Sequence, residues 1–203
     1  MNNVDLLLTN ALIVTQDEKR SILPESSIAI QGNRIIAIGA SKEIDGQFIA
    51  EKTVDLSGKI VFPGLINTHD HLFQVATKGL GEDMSVQDWV TVVTAPTAAN
   101  ITPEEIYTVC LTGCLELIHS GVTSVIDMNY MAYTFGLHDE NIHAIVDSGL
   151  RGVYSSIISD YGLQYGSPEY LMRPTDWFID QYEQLITKYP ATERMAVWMA
   201  VGA

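Results

Sequence analysis

His69 and His71 stand two residues apart with Asp70 between them. If a strand runs through them, its two-residue period puts both imidazoles on one face, about 6–7 Å apart at Cα. Their nitrogens can then meet on one metal ion at roughly 2.0–2.1 Å, while Asp70 points to the other face. The residues just before, Ile60–Asn67 (IVFPGLIN), are apolar almost throughout, the texture of a strand buried on both faces. Pro63 cannot donate to a ladder, so the paired strand is expected to start at Gly64 or Leu65. The C-terminal end of a parallel strand is also where α/β proteins keep their sites. With 5 histidines in 203 residues, the triplet by itself remains a weak sign.

The elements that would hold such a pair are legible on both sides of it. Before residue 59 the chain reads as a small β module. Val4–Thr15 is β-rich, Ser27–Ile30 and Arg34–Ile38 flank the hairpin turn Gly32-Asn33, and Thr53–Asp55 adds a short run. From Lys59 onward, apolar strands alternate with amphipathic helices. Thr102-Pro103-Glu104-Glu105 opens a helix with an N-cap, a proline in the first turn and a capping box. Ile106, Cys110, Leu111, Cys114, Leu117 and Ile118 fall on one stripe of that helix, and Gly121 ends it. Val122–Met128 is a second strand, His138–Ser148 a helix stopped by Gly149, and Arg151–Ser159 a third strand. Phe178, Ile179, Tyr182, Leu185, Ile186 and Tyr189 mark a helix stopped by Pro190, and Met195–Val201 is a fourth strand. This alternation predicts an α/β fold with a parallel sheet.

Composition removes several function classes. Lys and Arg number 11 against 25 Asp and Glu, a formal net charge of −14. So acidic a surface repels phosphate backbones and anionic lipid, which argues against nucleic-acid and membrane partners. Cys110 and Cys114 lie four apart in a helical pattern and read as small buried hydrophobes of a reducing compartment. The opening MNNVDLLLTNALIVTQ lacks a basic region and carries Asp5, so no signal peptide is expected, and the predicted location is cytoplasmic.

The run Val61-Phe62-Pro63-Gly64-Leu65-Ile66-Asn67-Thr68-His69-Asp70-His71 strongly resembles the opening signature of the amidohydrolase superfamily. Gly79-Leu80-Gly81-Glu82-Asp83-Met84 with Ser85–Val90, and Gly121–Asp127, extend the resemblance, which spans essentially the whole chain. The subgroup it is most similar to comprises deaminases and chlorohydrolases of N-heterocycles, including triazine hydrolases, guanine-type deaminases and adenosyl-type deaminases. The resemblance implies a (β/α)8 TIM-type barrel preceded by part of a small β-sandwich domain. It divides the chain into residues 1–58, the β portion, and residues 59–203, the first four β/α units. It also implies that His69 and His71 bind one divalent metal, Zn²⁺ before Fe²⁺. Such a metal lowers the pKa of water from 15.7 to near 7, and the hydroxide then attacks a ring carbon bearing an amino, alkylamino or chloro group. Gln74 and Trp89 match substrate-lining neighbourhoods of the subgroup, as an amide hydrogen-bonding a ring nitrogen and an indole covering the ring. The alternatives are a surface glutamine and a packed tryptophan. Asp127, Asn129 and Tyr130 end the second strand, where they either face the site or terminate the strand. His119, His138 and His143 read as structural.

The chain departs from the family pattern in three places. Nucleoside-directed members carry an acidic residue two positions after a proline, where this chain has Ala98 after Pro96, and an arginine where it has Ser155 or Ser156. Both differences favour a bare heterocycle. Met195–Ala203 holds no lysine to bridge a second metal. The family's other ligands and its general acid and base come from later strands, and a full barrel takes ~250 residues. The chain is therefore expected to be the N-terminal half of an enzyme, inactive alone, with its partner either the C-terminal half of the barrel or a second chain. The full-length enzyme is expected to be a homo-oligomer. The alternative is a non-catalytic partner that pairs through open strand edges.

Overall fold

The structure, a computed structural model, describes residues 2–130, 136–161, 169 and 172–201. It falls into two units, Met1–Pro63 and Gly64–Ala203. The first contains β1 (Asn2–Val14), β2 (Ile22–Gln31), β3 (Arg34–Ala40), a single turn α1 (Ser41–Ile44), β4 (Phe48–Asp55) and β5 (Ile60–Val61). Its sheet runs β3-β2-β1-β4, and β5 extends the β4 side by pairing with Leu12 and Ile13 of β1. Alternation along the strands buries Val4, Leu7 and Ala29 with Ile44, and separately Ala11, Ile13 and Ile28. Gly32 closes the β2–β3 hairpin at φ +57°, where a side chain would be strained.

Two sequence expectations change here. The division falls after Pro63 rather than at residue 58, because Ile60 and Val61 belong to the first sheet. Ile60–Asn67 is accordingly two strands instead of one, with Pro63 in the break, and the second begins at Leu65, as its proline led one to expect. Nor is that second strand buried on both faces. Leu65 and Ile66 are 60% and 70% exposed, because their strand is an outer one of the described sheet.

The second unit contains β6 (Leu65–Asp70), a 3-10 turn (Leu72–Thr77), α2 (Val86–Trp89), a π-helical turn (Val90–Thr94), α3 (Ala95–Asn100) and α4 (Pro103–His119). β7 (Val122–Asn129), α5 (His138–Ser148), β8 (Arg151–Ile158), α6 (Thr175–Lys188) and β9 (Met195–Val201) follow. The four strands are parallel in the order β6-β7-β8-β9. The expected capping box forms at α4: Thr102 Oγ1 accepts from Glu105 N at 3.2 Å, and Thr102 N donates to Glu105 Oε2 at 2.9 Å. Such caps contribute about 1 kcal/mol. Gly121 and Gly149 take φ +87° just past α4 and α5 and stop both helices. Among the described residues, no helix is long and apolar enough to cross a membrane.

Side-chain size decides how the layers meet. The buried face of α4 is Ile106, Cys110, Gly113 and Cys114; Ile118, expected on the stripe, is exposed. A Cβ on Gly113 would come within 3.1 Å of both Leu72 Cδ2 and Val75 Cγ2, so the small residues of α4 let the 3-10 turn dock against it. Both cysteines are buried free thiols, and burial pushes the Cys114 thiol up to about 12. A Cβ on Gly152 would lie 2.2 Å from Cγ2 of the fully buried Ile145. Gly152→Ala is therefore expected to destabilise the chain by about 1–3 kcal/mol through overpacking. The urea midpoint checks this, and an unchanged midpoint would show that α5 can shift freely.

His138, read as structural, is buried, with Nδ1 2.8 Å from the hydroxyl of the fully buried Tyr154. Burial pushes its imidazole down to about 4 from 6.5. The folded state therefore binds fewer protons than the unfolded one between those values. The stabilisation that His138 contributes is present above pH 6.5 and disappears as pH falls toward 4, about 3 kcal/mol in all. A ring-proton titration by NMR should show the His138 midpoint near 4, and a midpoint near 6.5 would contradict its burial.

Candidate metal and ligand site

β6 ends in the two histidines' neighbourhood with its ladder to β7 interrupted between Asn67 and Asp70. Asn67 organises the break: Oδ1 accepts from His69 N at 3.2 Å, and Nδ2 donates to Asp70 Oδ2 at 2.6 Å. The other carboxylate oxygen of Asp70 accepts from His71 N at 2.8 Å. Asp70 is thus turned back onto its own strand and clamps the corner that carries the imidazoles.

The rings themselves converge. His69 Nε2 and His71 Nε2 are 3.3 Å apart, with the ring planes at 83°. Two nitrogens bound tetrahedrally to one metal at about 2.0–2.1 Å are separated by about 3.3–3.4 Å, so the observed spacing fits a shared cation. The orientation of His71 is set from behind, where Nδ1 donates to the backbone carbonyl of Met128 at the end of β7. That bond fixes the tautomer and leaves the Nε2 lone pair facing outward, the usual device for a metal-ligating imidazole. Burial holds the His71 pKa below its ordinary value, which keeps the ring neutral as a ligand must be. Among the described residues, no group of three or more His, Cys, Asp and Glu could hold a metal. The pair by itself offers a cation two nitrogens.

The 3-10 turn after His71 is anchored from inside. Leu72 and Phe73 are in the core, and Leu72 N donates to Oδ1 of the fully buried Asp127 at 2.9 Å. Tyr130 packs edge-on against both His71, at 5.3 Å between centroids, and Phe73, at 5.4 Å. An open cavity of about 460 Å³ lies in front of the histidines, walled also by Gln74, Lys78, Leu80 and Trp89. Trp89 is half-buried and sits tight on Gly81, where a Cβ would come within 2.4 Å of the indole Cδ1. Lys78 is paired with Glu116.

All four residues singled out from the sequence, His69, His71, Gln74 and Trp89, therefore line one cavity. Asp127 is a buried anchor, and Tyr130 packs on the His71 ring. His119 lies exposed in the last turn of α4, and His143 lies 3.4 Å from the Tyr189 hydroxyl. One contributor escaped the sequence reading: the Met128 carbonyl, a backbone group with no residue signature.

Residues 60–202 match the sequence profile of the Amidohydrolase family. The chain is 31% identical over 166 residues to a 5-methylthioadenosine/S-adenosylhomocysteine deaminase of Nitratidesulfovibrio vulgaris, covering 81% of this chain and 36% of that protein. An adenosine deaminase from Xanthomonas campestris with bound zinc superposes with a TM-score of 0.82 at 21% identity, over 98% of this chain and 43% of that one. An atrazine chlorohydrolase from Arthrobacter aurescens complexed with zinc gives 0.80 at 23% identity, over 97% and 46%. The chain thus spans little more than a third of that curated relative and less than half of either solved structure.

Proposed function

The chain belongs to the amidohydrolase family, and on that basis we propose that it supplies the first two metal ligands and part of the substrate cavity of a hydrolase acting on a small N-heterocycle. The reaction is removal of an amino, alkylamino or chloro group from a ring carbon. The observation that carries this reading is the 3.3 Å approach of His69 Nε2 and His71 Nε2, with His71 held from behind by the Met128 carbonyl. Zinc is the proposed metal. It accepts two neutral imidazoles at this spacing, and the two zinc-containing enzymes compared above share this fold. When bound, such a cation supplies Lewis acidity and ionises water near neutral pH.

The residues of this chain do the rest of what can be assigned here. Asp70 is engaged by Asn67 and by the His71 amide, so its task is to hold the corner rather than to move a proton. Trp89 offers an indole face to a planar ring, and Gln74 offers an amide at its edge. Among the described residues, no third metal ligand joins the pair, and no general acid or base is assigned here. Ala98, Ser155 and Ser156 are buried and uncharged, which supports a bare heterocycle over a nucleoside. The relative named for 5-methylthioadenosine marks the competing reading.

Ammonia and chloride release from aminated and chlorinated triazines, pterins and purines tests this, on the metal-loaded protein that carries these residues. Release from a free ring in preference to its nucleoside is the expected result. A protein that holds metal at both histidines yet releases neither product would refute the assignment.

A further inference from the structure

We propose that Gly81 is a positioning residue for the cavity in front of His69 and His71. Its bare Cα seats the Trp89 indole, and the depth of that seat sets how far the indole stands into the space a planar ring would occupy. The inference deepens the reading above and rests on it, since it takes that cavity to be a heterocycle site.

The indole is placed from two sides. Its backbone is fixed by α2, where Ser85 Oγ accepts from Asp88 N at 3.1 Å and Trp89 N donates to the Ser85 carbonyl at 2.9 Å. Its pyrrole edge is fixed by the loop before α2. A Cβ at residue 81 would lie 2.4 Å from the indole Cδ1, 3.3 Å from Nε1 and 3.4 Å from Met84 Sδ, so two side chains close over the bare Cα. Non-bonded carbons settle at about 3.5–4.0 Å, so a side chain at 81 would displace the indole by about 1 Å or more. Cδ1 belongs to the ring itself, so the side chain yields only by swinging the whole indole away from its rotamer.

The loop holds Gly81 against the indole. Leu80 N donates to the Thr77 carbonyl at 3.0 Å and Met84 N to the Gly81 carbonyl at 3.1 Å, closing a turn on each side of residue 81. Lys78, where the loop begins, is tied to Glu116 of α4. Gly81 itself takes φ +84°, which glycine adopts without strain. Gly79 takes φ +77°, yet nothing lies within 4 Å of its Cβ position. The two glycines therefore separate backbone freedom from room for a neighbour: position 79 uses the first, position 81 both. Trp89 lines the same cavity as His69, His71 and Gln74, so a shift of its ring changes the shape presented to a ligand. Misplacement by about 1 Å can cost a site as much as about 100-fold.

The test uses isotope-labelled full chain and NMR of the tryptophan indole N–H signals, with Trp89→Ala identifying the one that belongs to Trp89. Gly81→Ala should move that signal. Gly79→Ala carries the same kind of left-handed strain without the contact, and should leave it in place. Melamine, a planar triazine, should shift the Trp89 signal of the unsubstituted chain and, by isothermal titration, bind Gly81→Ala at least about tenfold more weakly. In a Trp89→Ala background, alanine at 81 should change melamine binding by less than about twofold. Zinc binding should be the same in Gly81→Ala and its parent, and a parallel loss of both ligands would mean a disturbed fold and overturn the proposal. If backbone spectra show Gly81→Ala unfolded, adding Trp89→Ala should restore folding, and failure to do so would also overturn it. So would an unmoved indole signal, no response of the indole to melamine, equal melamine binding by parent and Gly81→Ala, or a loss that persists without the indole. Zinc failing to bind at the histidines while the indole shift and the melamine loss hold would sink the hydrolase reading and leave this one standing.

Discussion

Replacing His71 with alanine is expected to lower the zinc affinity of the chain by about 100-fold, and His69→Ala by a similar factor. Each variant leaves one imidazole, and a single histidine binds zinc no better than a free ring does. The gain in the unsubstituted chain comes from two nitrogens already 3.3 Å apart, near the edge of the tetrahedron the metal requires. It comes also from the Met128 carbonyl, which has selected the tautomer of His71 before the metal arrives. His119→Ala is the control, because that ring is exposed in the last turn of α4. Isothermal titration with zinc should separate the three variants. Equal losses in all three, or none in the first two, would mean the metal binds elsewhere. With no third His, Cys, Asp or Glu to join the pair among the described residues, affinity in the unsubstituted chain should stay modest. Tight stoichiometric zinc would contradict a partial ligand set.

Much of this site could be read from the amino-acid sequence because its signals are local. The capping box at Thr102, the glycines at 121 and 149 and the alternation of apolar strands with helices each act over a few residues. The histidine pair belongs to the same class, since strand period and family resemblance both placed His69 and His71 together. What escaped the reading depends on groups far apart in the chain. The carbonyl that orients His71 comes from 57 residues away, and the phenol that anchors Gln74 from 56. The exposure of Leu65 and Ile66 was missed for a related reason, because apolar content says a strand seeks cover but not whether the same chain provides it. Pro63 marked where the paired strand begins, as expected, but texture alone did not show where Ile60 and Val61 pair. IVFPGLIN looks continuous, yet its first two residues pair with β1 and its last three with β7.

Asp127→Asn is expected to stabilise the chain at pH 8 by up to about 4 kcal/mol. Asp127 is fully buried, and burial is the main cause that pushes its carboxyl up to about 7 from 3.8; the Leu72 amide opposes this and the nearby Asp70 adds to it. With the folded-state pKa raised, the folded protein binds more protons than the unfolded one between those values. The stability from this group is complete below pH 3.8 and is lost as pH rises toward 7. Asparagine keeps an oxygen for the Leu72 N–H, carries no charge and so removes that loss. His138 has the opposite sign over pH 4 to 6.5, where its contribution grows as pH rises. In the unsubstituted chain the two slopes oppose each other there, so the pH dependence from this pair is much reduced. In Asp127→Asn stability should instead rise with pH across that window, with His138 and the likewise depressed His71 both contributing. Urea unfolding at several pH values reads both effects. A variant less stable than its parent at pH 8 would show that the Leu72 N–H needs a carboxylate, and that Asp127 stays ionised in the fold. The outcome bears on the metal site as well, since the Leu72 amide held by Asp127 begins the turn that follows His71.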